Sequence, residues 1–67
     1  MKMTLSEEKL PENMTRVLCE HRPHIKGKRG TFEFAFYKDG MFKFESGEQW
    51  VTKLTAIAWI SIKDVIS

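Results

Sequence analysis

The clearest pattern in the chain is an alternation of aromatic and polar residues over positions 31–45. In "TFEFAFYK", Phe32, Phe34 and Phe36 fall on one side and Glu33, Ala35 and Tyr37 on the other. A period of two residues is that of a β-strand. After Lys38-Asp39-Gly40, the run "MFKFES" places Phe42 and Phe44 on one side and Met41, Lys43 and Glu45 on the other. Two such runs around Asp-Gly predict a β-hairpin. Two registers compete. A two-residue Asp39-Gly40 loop sets Phe42 opposite Tyr37 and Phe44 opposite Ala35, which divides the five Phe between the faces. A three-residue Lys38-Asp39-Gly40 loop with a G1 bulge sets Phe42 against Phe36 and Phe44 against Phe34. Register follows the buried face. The pattern therefore selects the three-residue loop and gathers five Phe on one face, with Glu33 opposite Glu45.

The flanking segments are less regular. "TRVLCEH", residues 15–21, reads as a strand with Val17, Cys19 and His21 on one face and Arg16, Leu18 and Glu20 on the other. "RPHIKGKRG", residues 22–30, reads as a loop, because Pro23, Gly27 and Gly30 interrupt regular structure. "SGEQ" is a further turn. "WVTKLTAIAWISI", residues 50–62, offers a long strand, with Leu54, Ala56, Ala58, Ile60 and Ile62 on one face and Ile57 and Trp59 on the other. Leu54, Ile57, Ala58, Ile62, Val65 and Ile66 also fit a helical period, but β-branched content favours strand. The first 14 residues read as a lead-in with a single turn. Ser6 stands as a cap, Leu5 and Leu10 as anchors, and Pro11 stops any helix.

The fold class that follows is mainly β. It is a small antiparallel sheet of about four strands, with a short helical segment at one end left open. One domain is expected over 1–67, divided into a lead-in (1–14), a β core (15–62) and a tail (63–67). Both faces of residues 54–62 are apolar, more than a small sheet buries alone, which favours self-association or partner docking.

Composition changes this picture only in places. A 42% hydrophobic fraction argues against disorder. The net charge of +2 is too small to announce a nucleic-acid binder. The charges are unevenly placed, however: Glu7, Glu8 and Glu12 face only Lys9 in the lead-in, whereas Arg22, Lys26, Lys28 and Arg29 sit in the 22–30 loop with no acid. Cys19 is the one cysteine, so no internal disulfide forms. No apolar run is long enough to span a bilayer, and the N-terminus lacks a leader pattern. A cytoplasmic protein without membrane contact is the expectation.

Leu10-Pro11-Glu12, the Val17-Leu18 strand, the aromatic Asp-Gly hairpin from Phe36 through Phe42 and the late apolar segment around Trp59 carry a resemblance across most of the chain. They resemble a family of short phage and prophage proteins catalogued as a domain of unknown function. The resemblance implies a small antiparallel sheet and a phage-type origin. It implies no activity.

Candidate chemistry is sparse. Cys19, His21 and His24 form C-x-H-x2-H. A strand sets the first two on one face, but a structural zinc site wants four ligands and no further Cys or His exists. The expectation is a buried thiol beside two surface imidazoles, with no metal or cofactor. "KGKRG" lacks P-loop spacing, and no oxyanion-binding Gly motif follows Cys19, so catalysis is not expected. The functional reading is a non-catalytic module that binds an unidentified protein partner, such as a host factor, with a homo-oligomer as one form of that binding. The alternative is a nucleic-acid-binding module using the 22–30 loop. Arg22, Lys26, Lys28 and Arg29 would meet phosphates, and Tyr37, Trp50 and Trp59 would offer aromatic contacts.

Overall fold

The computed structural model describes residues 2–23, 25, 27, 28 and 30–66, with the side chain of Ile66 set aside. Its six strands are β1 (Thr4–Leu5), β2 (Thr15–His21), β3 (Phe32–Lys38), β4 (Met41–Phe44), β5 (Trp50–Val51) and β6 (Ala56–Ser61). A short helix, α1 (Ile62–Ile66), ends the described chain. All six strands join one antiparallel sheet in the order β1-β6-β2-β3-β4-β5. The expected antiparallel β class holds. The strands beyond the expected four are the two-residue β1 and β5 at the sheet's edges.

The 50–62 segment corrects the expectation of one long strand. It pairs as β5, turns through residues 52–55, pairs again as β6 and then becomes helical at Ile62. The reason lies in the topology. β5 and β6 stand four strand spacings apart in the order, about 19 Å on a flat sheet. The five residue steps from Val51 to Ala56 reach about 17 Å even when fully extended. They are not extended, because the Thr55 and Ala56 amides both donate to the Thr52 carbonyl, at 3.0 and 3.1 Å. The sheet must therefore roll up until its β5 end approaches β6. Rolling gives it an inner and an outer face.

The inner face is the core. Val17, Cys19, Ala35, Tyr37, Phe42, Phe44 and Ala56 are buried together, with Val51 and Trp59 packed against them. Residues 6–11 help close it. The Ser6 hydroxyl donates to the Ala56 carbonyl at 2.6 Å, and the Trp59 indole N–H donates to the Lys9 carbonyl at 2.8 Å. Ser6 and Pro11 are the buried residues of this lead-in, whereas the expected anchors Leu5 and Leu10 stay exposed. On β6, Ala56, Ala58, Ile60 and Ser61 are buried, and Ile57 and Trp59 are half-buried. Leu54 of the same segment is 70% exposed.

The hairpin register is the second correction. Lys38 pairs with Met41, Tyr37 with Phe42, Phe36 with Lys43 and Ala35 with Phe44. The loop is the two-residue Asp39-Gly40, not the three-residue one. Both turn residues have positive φ, 51° and 85°, the type I′ geometry whose twist matches that of the strands. Asn13, just before β2, adds to it: Asp39 N–H donates to Asn13 Oδ1 at 2.7 Å, and Asn13 Nδ2 donates to Asp39 Oδ1 at 3.3 Å. The five Phe are thus divided. Phe42 and Phe44 go inward with Tyr37, and Phe32, Phe34 and Phe36 go outward.

Candidate functional site

Strand pairing sets the outer face residue by residue. Phe32 pairs with Glu20, Phe34 with Leu18, and Phe36 with Arg16 on β2 and Lys43 on β4. Lys43 pairs in turn with Trp50 on β5. Paired residues share a face, so Phe32, Phe34, Phe36 and Trp50 lie on one continuous surface with Arg16, Leu18, Glu20, Lys38, Met41 and Lys43. Phe32 is 47% exposed, Phe34 41% and Trp50 40%. The Phe36 and Trp50 rings meet edge-on, with centroids 6.5 Å apart. A shallow hollow of about 280 Å³ lies beside Trp50, lined by Lys38, Asp39 and Met41.

The predicted basic loop meets the sheet at the Phe32 end of this surface. Residues 22–30 connect β2 to β3 and lead directly into Phe32. The His21 amide donates to the Thr31 carbonyl at 2.8 Å and closes the hairpin there. Arg22 and Lys28 are exposed; Lys26 and Arg29 lie outside the described residues. Cations thus stand at both ends of the Phe row, with Arg22 and Lys28 on the loop and Arg16, Lys38 and Lys43 at the other end. Among the described residues, Arg16 forms an ion pair with Glu45, and both side chains are more than half exposed. The lead-in acids Glu7, Glu8 and Glu12 belong to the segment held against Trp59 on the inner side.

The other candidates fall elsewhere. Tyr37 is 6% exposed, with its ring centroid 4.9 Å from that of Phe42 in the core. It therefore has no free ring face to offer, which corrects its choice as a stacking residue. Trp59 is partly buried against the core and ties down the lead-in. Cys19 is fully buried, and burial pushes its thiol up to about 12. The His21 ring packs 5.4 Å from that of Phe44, and its Nδ1 lies 2.6 Å from the Arg22 carbonyl. Among the described residues no three His, Cys, Asp or Glu side chains converge, and His24 lies outside them. Glu33 accepts hydrogen bonds from Ser46, which hold its carboxyl below the usual range; the backbone N–H bond is 2.8 Å.

Sequence reasoning missed Phe32, Phe34 and Phe36 as surface residues and did not single out Arg16 or Lys43. The Asp-Gly dipeptide carried the signal for the two-residue turn that exposes them. No described helix is long and apolar enough to cross a membrane. Comparison with protein-family models, with curated proteins and with solved structures finds no match.

Proposed function

We propose that this chain is a small non-catalytic module that binds single-stranded nucleic acid on the outer face of its sheet. The observation that carries the reading is the row of Phe32, Phe34 and Phe36 on that face, flanked by cations at both ends. Alternate residues on a strand stand about 6.8 Å apart. Bases stacked as in a duplex rise only about 3.4 Å each. The row therefore suits an extended strand with its bases splayed onto successive rings, the mode of sheet-based single-strand binders. Lys38 and Lys43 would meet phosphates at one end, Arg22 and Lys28 at the other, and Arg16 between Phe34 and Phe36. The acids of the lead-in sit away from this path. A phage or prophage origin belongs to the same proposal, on the strength of Leu10-Pro11-Glu12 and the aromatic hairpin alone.

Docking of a protein is the second reading. It is favoured by the continuity of Leu18, Phe34, Phe36 and Trp50 as an apolar patch with an arginine beside it, the composition of interface hot spots. Salt separates the two. Each phosphate contact with a single strand contributes about −0.7 to the slope of log K against log salt. Fluorescence anisotropy with labelled oligo(dT) and oligo(U) should give a slope between about −2 and −4. Phe34→Ala should weaken binding by about 1–3 kcal/mol. An oligonucleotide that fails to bind at low salt would leave the protein-docking reading.

A further inference from the structure

The Arg16–Glu45 ion pair has a particular place on this surface. Arg16 is on β2, Glu45 follows β4, and β3 runs between them. Arg16 pairs across the sheet with Phe36, while the Glu45 amide donates to the Phe34 carbonyl at 3.0 Å. The guanidinium and carboxylate thus meet over β3, between the stations of Phe34 and Phe36. Their side chains are 61% and 56% exposed.

This inference deepens the single-strand reading and rests on it. We propose that Glu45 holds Arg16 at the position a phosphate of the bound strand takes, so that binding exchanges one carboxylate for one phosphate. A strand with bases on the Phe34 and Phe36 rings must carry its backbone past the gap between them. The guanidinium fork matches carboxylate and phosphate oxygens equally well. An exposed pair of this kind is weak, and opening it reduces an equilibrium constant no more than about fivefold. While paired, Glu45 is neutralised and keeps Arg16 in place on the face. Once released, it is a negative charge beside the strand. Glu45 therefore sets how tightly the face binds.

The test is fluorescence anisotropy of labelled oligo(dT) and oligo(U) over a salt series. It uses the full chain and its Glu45→Gln, Arg16→Gln and doubly substituted forms, each first checked for folding by thermal melting. Arg16→Met, also neutral and of similar length, replaces Arg16→Gln if the latter fails to fold. Glu45→Gln should tighten binding about two- to fivefold when Arg16 is present and clearly less in the Arg16→Gln background, where only a bare charge is removed, the coupling expected of residues that share one partner. Arg16→Gln should also make the salt slope shallower by about 0.7. An equal gain in both backgrounds would mean that Glu45 acts only as a bare charge, and would overturn the exchange. An unchanged affinity in Glu45→Gln, with the unsubstituted chain binding, would overturn it while leaving the face as the binding surface. Absence of binding by every form would remove both.

Discussion

Gly30 occupies a position that admits no side chain. A Cβ there would stand 1.7 Å from the His21 carbonyl oxygen, in the backbone approach that closes the β2–β3 hairpin. Gly30→Ala should cost on the order of 3 kcal/mol or prevent folding, measured by urea denaturation. Met14 raises the opposite case. It holds φ at 64° with its side chain exposed, a left-handed conformation that strains any residue with a Cβ. Met14→Gly should gain up to about 1 kcal/mol in the same assay. Cys19 adds a pH dependence. The folded thiol keeps its proton up to about 12, against 9.0 for the exposed group. Its contribution to stability is complete below pH 9 and is lost as pH rises toward 12, because only the unfolded chain releases the proton early. Urea midpoints should fall across that interval, and less so in Cys19→Ala. The Gly30 contact was not legible in the sequence, since it depends on where the β2 backbone lies, and nothing in a methionine announces the left-handed conformation of Met14.

At the scale of elements, alternation was legible and the choice of face was not. The division of β2 into Val17-Cys19-His21 and Arg16-Leu18-Glu20 follows from a period of two, and so does the shared face of Phe32, Phe34 and Phe36. Hydrophobicity alone then put all five Phe inward. The fold instead turns Ala35 and Tyr37 inward on β3, beside Val17, Phe42 and Phe44. A small rolled sheet has limited space inside, and Ala35 leaves room for the rings around it. The twist of a type I′ Asp39-Gly40 turn, clasped by Asn13, agrees with that arrangement. It also places Glu45 at Phe34 and not opposite Glu33. Phe42→Ala should therefore cost about 3–5 kcal/mol, while Phe34→Ala should cost less than about 1 kcal/mol for an exposed side chain. Chemical denaturation of the two variants distinguishes the registers, since the three-residue loop would make both losses large. The 50–62 segment misled for a related reason: β-branched residues favour strand locally, but the chain must turn at 52–55 to cross from β5 to β6.

For the whole molecule, the basic loop was legible as a run of cations without acids. Its meaning was not, because the aromatic row it joins was assigned to the core. Once β3 turns its Phe outward, Arg16, Lys38 and Lys43 share their face, and the loop of Arg22 and Lys28 joins β3 at the Phe32 end. The modest net charge of +2 conceals an uneven placement: Glu7, Glu8 and Glu12 lie in the lead-in, while Glu20 and Glu45 stand on the outer face among the cations. The central claim is that single-stranded nucleic acid binds along β3 on the outer face. Amide and side-chain chemical-shift mapping with oligo(U) at low salt tests it most directly. The account predicts that the largest changes fall on Phe32, Phe34, Phe36, Arg16, Lys43 and Trp50, with the inner residues Val17, Cys19 and Phe42 little affected. An excess of oligonucleotide that leaves the outer residues unmoved, or changes concentrated on the lead-in, would contradict it.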